Sequence, residues 1–107
     1  MKNFISGLNK NFDNRIRLGI MSVLAVNEWV EFNVLKDMLE LTDGNLASHI
    51  SSLEKNGYLE TRKQFIARKP NTSYRITQFG KLEFKKHIDS LEIIIKEQNF
   101  NKSDESE

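Results

Sequence analysis

A chain of 107 residues has room for one domain with a modest hydrophobic core. Apolar residues make up 38% and charged residues 29% of the chain, as in ordinary globular proteins, and no apolar run approaches the roughly 18 residues that span a bilayer. Cysteine is absent and histidine occurs twice, which excludes disulfides and thiolate metal sites; we expect a cytoplasmic protein without a metal or cofactor.

The net charge of +1 is distributed unevenly. Because local potential governs the encounter with a polyanion, a basic segment of a near-neutral chain can bind nucleic acid. The segment 61–77 has no acid and five basic residues, Arg62, Lys63, Arg68, Lys69 and Arg75. The last residues, 99–107, are mainly acidic and polar, and we expect them to form a disordered tail.

The first half of the chain has the apolar periodicity of three helices. We expect a short strand between the second and third helices, because Trp29, Val30 and Phe32 are β-prone. Asp13 and Asn33 are the expected N-caps. The predicted helices cover residues 1–12, about 14–27, and 34–41 with Val34, Leu35, Met38 and Leu39 facing inward.

The second half predicts a helix, a hairpin and a longer helix. Thr42 and Thr77 are suited to cap the two helices, and Gly57 to end the first of them. Pro70, the only proline, is expected to stiffen the hairpin turn. The predicted elements are a helix over about 43–56, strands over 58–65 and 73–77 around a turn at 67–71, and a helix from 78 to about 98.

Two helices joined by the short connection 40–43 form a helix-turn-helix, and the hairpin adds a wing. The stretch FNVLKDMLELTDGNLASHISSLEKNGYLE, followed by ARKPNTSYRIT and GKLEF, resembles small winged-helix transcriptional regulators related to the MarR and ArsR families. The resemblance covers about residues 14–95, although Glu40 stands where the turn is expected to have glycine. It implies a dimeric DNA-binding regulator. The predicted elements themselves give a mainly α fold with a small β-hairpin wing, in one domain (1–98) with terminal helices for dimerisation.

The helix over 43–56, here named the recognition helix, has the face that suits a major groove. With Leu46, Ile50 and Leu53 inward, its other face is small and polar. The expected base-reading residues are Asn45, Ser48, His49 and Ser52, with Gly44 and Lys55 at the DNA backbone. The alternative is the solvated face of an ordinary helix. These serines and His49 share one helix without a third orienting group, so we expect no enzyme.

The segment 62–75, here named the wing, is expected to contact phosphates or an adjacent minor groove. Its tip carries Arg68 and Lys69, and the other expected backbone contacts are Arg62, Lys63, Thr72 and Arg75. Strand alternation means that the basic residues cannot all face one side. The alternative is an edge hairpin that charge protects from aggregation.

The last helix has two apolar faces. Phe79, Leu82 and Ile93 are expected to pack on the core. A second seam would pack with the N-terminal helix of a partner copy, which gives the expected homodimer interface Phe4, Ile5, Leu8, Phe84, Ile88, Leu91 and Ile95. The alternative is that the N-terminal helix covers this seam within one chain. His87 and Asp89 are expected to be solvated or interfacial, not metal ligands.

These expectations combine into one hypothesis, a homodimeric regulator that binds double-stranded DNA sequence-specifically at a two-fold symmetric site. The rival hypothesis is a winged helix that serves as a protein–protein interaction module, since fold alone does not decide function. No residue singles out a small-molecule effector.

Overall fold

The computed structural model describes residues 4–98 and confirms a mainly α domain with a β-hairpin wing. The strands form one antiparallel sheet in the order β1-β3-β2. No helix within residues 4–98 is long and apolar enough to cross a membrane. The predicted tail, 99–107, lies outside the described residues. The elements are α1 Phe4–Gly7, α2 Arg15–Ala25, β1 Val30–Glu31, α3 Phe32–Leu39, α4 Asp43–Lys55, β2 Leu59–Ile66, β3 Lys69–Ile76 and α5 Gln78–Glu97.

The predicted caps of α4 and α5 are confirmed. Thr42 Oγ1 accepts a hydrogen bond from the Asn45 N–H at 3.2 Å, and Thr77 Oγ1 accepts from the Gly80 N–H at 2.9 Å. Gly57 follows α4 with a φ of 83°, a conformation that favours glycine. The Thr77 hydroxyl also donates to the Gly57 carbonyl at 2.7 Å, so one side chain joins the end of α4 to the start of α5.

The predicted N-terminal helix is wrong beyond Gly7. Phe12, expected on that helix, instead lies in the core, where its ring packs 4.8 Å from Tyr58 and 5.4 Å from Phe84 between centroids. The chain must leave the helix to bring Phe12 there. The Asn9 and Asn11 amides hold the resulting loop by donating to the Tyr58 hydroxyl at 3.0 and 3.2 Å.

The caps predicted for α2 and α3 are also wrong. Asn14, not Asp13, caps α2, because its Oδ1 accepts from the N–H groups of Ile16 and Arg17. Helix α3 begins at Phe32, with Glu31 and not Asn33 as its N-cap. The β-prone segment is shorter than predicted because only Val30 and Glu31 pair with β3.

Helix α3 buries a narrower stripe than predicted. Leu35 is fully buried and Leu39 partly so, but Val34 and Met38 are 44% and 58% exposed. Starting the helix at Phe32 makes the inward spacing Phe32, Leu35 and Leu39, or i, i+3 and i+7, which fits one face of a short helix.

The hairpin turn is tighter than predicted. It contains only Ala67 and Arg68, with φ values of 51° and 67°, as in a two-residue turn that matches strand twist. Pro70 therefore lies inside β3, opposite Phe65, and not in the turn. Strand β3 has a neighbour on one side only at that point, since β1 reaches only Tyr74 and Ser73, and this tolerates the missing N–H of proline.

Helix α5 turns a different face to the core than predicted. Phe79, Leu82 and Ile93 are 51%, 55% and 39% exposed, while Phe84 and His87 are buried. Gly80 explains the rotation: a Cβ there would lie 2.1 Å from the Tyr58 carbonyl oxygen, so only glycine permits this approach. The inward stripe then runs from Gly80 through Phe84 to His87.

Candidate nucleic-acid interface

The recognition helix exposes the polar face that its sequence predicts. Leu46, Ile50 and Leu53 are buried against the core, which confirms their inward orientation. The opposite face carries exposed Gly44, Asn45, Ser48 and Lys55, with Ser52 and His49 half-buried at its shoulders. A Cβ added at Gly44 would meet no atom within 4 Å, so no packing contact requires glycine there. This face has donors and acceptors and little bulk.

The connection before the recognition helix contains a residue in a strained backbone conformation and is spanned by an ion pair. Glu40 adopts a left-handed conformation with φ 52° and ψ 53°, at the position where glycine was expected. Lys36 Nζ lies 2.9 Å from Asp43 Oδ1, and this hydrogen bond raises the pKa of Lys36. The pair joins α3 to the first turn of α4.

His49 has a partner on another helix. The Arg17 Nε–H donates to His49 Nδ1 at 3.0 Å, linking α2 to the recognition helix. Partial burial and the neighbouring Arg17 charge lower the pKa of His49 below its ordinary value of 6.5. Arg17 could not be predicted as a partner of His49 from the sequence, because only the crossing of α2 and α4 brings the two side chains together.

One face of the wing lies against the last turn of the recognition helix. Thr61 lies on this face, and its hydroxyl donates to the Glu54 carboxylate of α4. Side chains alternate along a strand, so Lys63 and Phe65 lie on the same face. Their partners across the ribbon are Thr72 and Pro70. Phe65 is 76% exposed, which makes this face both basic and apolar near its end.

On the opposite face of the wing, two of the five basic residues stack on a tryptophan. The guanidinium carbons of Arg62 and Arg75 lie 4.3 and 4.5 Å from the centre of the Trp29 ring. Arg75 also pairs with the Glu60 carboxylate. Strand alternation thus separates Arg62 and Arg75 from Lys63, as predicted. Trp29 was missed as their partner, since its position depends on the pairing of β1 with β3.

Basic residues that form no salt bridge in the described part of the chain lie at the tip of the wing, on the wing face toward α4 and on α4 itself. Arg68 occupies the turn and Lys69 begins β3, and both are exposed. Within residues 4–98, neither these two nor Lys55 and Lys63 form a salt bridge. Their charges are therefore available to an external anion.

The residues predicted for dimerisation are divided between the core and the surface. Phe84 is buried against Phe12 in the chain's own core. Helix α1 packs on α5 of the same chain, where a Cβ at Gly7 would lie 2.1 Å from Ser90 Oγ. Phe4, Leu8 and Leu91 are half-buried; Ile5, Ile88 and Ile95 are 70%, 38% and 66% exposed.

His87 is buried, not solvated or interfacial as predicted. It is 4% exposed, and its Nδ1 accepts from the Asn9 N–H at 2.9 Å. Burial lowers the pKa of His87, against an opposing effect of Asp13. Asp89 is bound to Lys85 at 2.7 Å. His87 thus supports the fold on the side of α5 that faces the N-terminal segment, while the pair of Lys85 and Asp89 is exposed.

Comparison with known proteins agrees with this geometry. A family model described as "Winged helix DNA-binding domain" matches residues 16–95. A protein of Methanocaldococcus jannaschii is 42% identical over 79 residues, covering 74% of this chain and 86% of that protein.

Two solved structures are similar to this chain in both sequence and fold. A transcriptional regulator homologue from Pyrococcus horikoshii is 41% identical with a TM-score of 0.77, covering 82% of this chain and 87% of that one. Reduced HlyU from Vibrio cholerae is 26% identical with a TM-score of 0.61, covering 71% and 76%. The chain belongs to the winged helix DNA-binding domain family, and its fold and relatives are those of transcriptional regulators, not of enzymes.

Proposed function

We propose that the protein is a cytoplasmic regulator of the MarR/ArsR-like group that binds double-stranded DNA sequence-specifically as a homodimer. The recognition helix enters the major groove, and the wing contacts the backbone or the adjacent minor groove. The observation that carries the proposal is an exposed polar helix face followed directly by a wing with free positive charge. Helix α4 exposes Asn45 and Ser48, and the wing, which is bound to the last turn of α4 through Thr61 and Glu54, carries at its tip cations that are unpaired among the described residues.

Base reading is assigned to the polar face of α4. Asn45 and Ser48 are exposed there, and their side chains can donate and accept hydrogen bonds at base edges. His49 and Ser52 are half-buried beside them, so their positions are better defined than those of long exposed side chains. The smallness of this face allows the backbone of α4 to approach the floor of the groove.

Backbone contact is assigned to the groups whose charge is free. Lys55, Lys63, Arg68 and Lys69 are exposed and unpaired within residues 4–98, and Thr72 lies on the Lys63 face. Gly44 leaves open space at the N-terminus of α4, where a phosphate is favoured. For Arg62 and Arg75 we propose a different role: stacked on Trp29, they stiffen the base of the wing.

Dimerisation is assigned to the apolar surface that α1 and α5 leave uncovered. Ile5, Ile88 and Ile95 remain exposed even though α1 packs on α5 of the same chain. Apolar residues clustered on two neighbouring elements are typical of an interface. A two-fold dimer would present two recognition helices about one DNA turn apart, so the binding site would itself be two-fold symmetric.

Equilibrium binding to labelled duplex fragments, measured by fluorescence anisotropy across a salt series, tests this function. We expect binding at low salt that weakens as salt rises, with a slope in log K against log salt of about −0.9 for each phosphate contacted. The affinity for fragments that contain the specific site should exceed the affinity for random fragments by roughly 10³-fold or more. Failure to bind any duplex at low salt, together with capture of a defined protein partner, would favour the protein-interaction alternative.

A further inference from the structure

The hydrogen bond between α2 and the recognition helix determines which ring nitrogen of His49 carries a proton. Arg17 Nε–H donates to His49 Nδ1 at 3.0 Å. A guanidinium has donors and no acceptor, so the nitrogen facing it must present a lone pair. In a neutral imidazole the proton is then on Nε2.

His49 is kept in the neutral form that this hydrogen bond requires. Partial burial, and to a smaller extent the charge of Arg17, lowers the pKa of His49 below 6.5. With Nδ1 occupied, Nε2–H is the polar group that the ring can offer to a partner outside the chain, and it has no hydrogen bond within residues 4–98. The ring lies at the shoulder of the exposed polar face of α4, beside Asn45 and Ser52.

We propose that Arg17 is a positioning residue that holds His49 as a hydrogen-bond donor, so that His49 reads an acceptor on a base edge in the major groove. The acceptors exposed there are the N7 and O6 atoms of guanine, the O4 of thymine and the N7 of adenine. The amino group of cytosine is a donor, and it would face another donor. The role deepens the proposed function, on which it rests, by naming the chemistry that one residue reads.

The tautomer can be measured without DNA. Long-range ¹H–¹⁵N spectra of the free protein, recorded above pH 6.5, report which ring nitrogen is protonated, and a His49→Gln variant assigns the signals. We expect wild-type His49 to be entirely the Nε2–H form. Arg17→Met removes the donor at similar length, and we expect a mixture of tautomers and a His49 pKa nearer the ordinary 6.5. Arg17→Lys, which keeps a charge and a donor, should restore part of the effect.

The specificity can be measured as a ratio of two affinities, which cancels any general loss of phosphate attraction. The base pair read by His49 is the one whose preference disappears in His49→Ala. For wild type, replacing its acceptor by the cytosine amino group should weaken binding by about fivefold or more, the value of one hydrogen bond. In Arg17→Met the ratio should fall toward one. The matched control is Arg15→Met, since Arg15 is an exposed cation on the same helix without a bond to His49 among the described residues.

The outcomes separate this role from the function on which it rests. A wild-type His49 that already shows mixed tautomers, or an Arg17→Met variant whose ratio is unchanged, overturns the role of Arg17 while specific DNA binding stands. Equal losses in Arg17→Met and Arg15→Met indicate charge alone and also overturn it. Absence of duplex binding by the wild type overturns the proposed function and with it the reading role. A single tautomer that becomes mixed, together with a ratio lost only in Arg17→Met, supports the role.

Discussion

Gly44 occupies the first turn of the recognition helix, where a side chain would meet open space. Glycine costs a helix about 1 kcal/mol relative to alanine. Because no contact within the described residues explains it, Gly44→Ala should raise the free energy of unfolding by up to about that amount. We expect the same change to weaken DNA binding several-fold, since a methyl group would separate α4 from the DNA backbone.

Urea denaturation and anisotropy titrations measure these two effects separately. A Gly44→Ala variant that gains stability and binds DNA as well as wild type would remove Gly44 from the interface. A variant that loses stability would instead mean that the glycine has a structural role that the open space around it does not reveal.

Glu40 and Gly57 share the left-handed conformation, with φ values of 52° and 83°. Only glycine adopts it without steric cost. We therefore expect Glu40→Gly to stabilise the protein by about 0.5–1 kcal/mol and Gly57→Ala to destabilise it by about 1–2 kcal/mol. A Cβ at Gly57 would come no closer than 3.7 Å to Phe79, so its cost is conformational and not a clash. Urea denaturation tests this prediction. The free energy of unfolding should rise in Glu40→Gly and fall in Gly57→Ala, and changes of the same sign would contradict the prediction.

His87 makes stability depend on pH. Burial lowers its pKa in the folded protein below the ordinary 6.5. Between these two pKa values the unfolded chain binds more protons than the folded one, so stability rises with pH through this window. We expect the free energy of unfolding to be largest above pH 6.5 and to fall as the pH drops below it. His87→Gln should flatten that slope, leaving the contribution of His49, whose pKa is also lowered; an unchanged slope would exclude His87 as its source.

At the scale of the elements, the wing has two faces with different expected roles. Arg62 and Lys63 are neighbours of equal charge, but Arg62 stacks on Trp29 while Lys63 lies on the α4 side. Lys63→Ala should reduce the magnitude of the salt slope of DNA binding by about 0.9, the value of one phosphate contact. Arg62→Ala is the matched control and should leave the slope unchanged. Equal reductions of the salt slope in the two variants would mean that the face on which a basic residue lies does not determine whether it contacts DNA.

The tip gives a larger effect of the same kind. Replacing Arg68 and Lys69 together by alanine should weaken binding to all duplexes alike and reduce the magnitude of the salt slope by about 1.8, for two phosphates. An unchanged salt titration would remove the tip from the interface.

Ser48→Phe is expected to act differently, by reducing sequence preference more than affinity for random DNA.

These elements also show what could be predicted from the sequence and why the rest could not. The caps at Thr42 and Thr77 and the glycine after α4 are local signals, and the structure confirms all three. The rotation of α5 was not predictable, because it depends on Gly80 meeting the backbone of Tyr58. The contacts of Arg17 with His49 and of Trp29 with two arginines likewise depend on how elements cross, which periodicity does not contain.

At the scale of the whole molecule, the described residues extend over 61 × 29 × 22 Å. An elongated chain with uncovered apolar residues on α1 and α5 suits assembly through those helices. We expect Ile95→Glu to weaken self-association by about 30-fold or more, as for loss of an interface contact worth about 2 kcal/mol. Ile95 is 66% exposed, so the substitution should leave the fold intact.

Leu82→Glu is the matched control for this prediction, because Leu82 is also an exposed apolar residue of α5 but lies outside the proposed interface. Sedimentation equilibrium at micromolar concentration should find a dimer for wild type and Leu82→Glu, and a monomer for Ile95→Glu. A monomeric wild type, or dissociation only in Leu82→Glu, would contradict the proposed dimer.

The central claim is sequence-specific binding of duplex DNA, and selection from a pool of random duplexes tests it most directly. The proposed function predicts enrichment of one motif with two inverted half-sites about one helical turn apart. His49→Ala should change the enriched motif, and alanine at Arg68 and Lys69 should weaken recovery without changing it. A recovered pool with the base composition of the starting pool, at salt concentrations where the protein still binds, would contradict the claim.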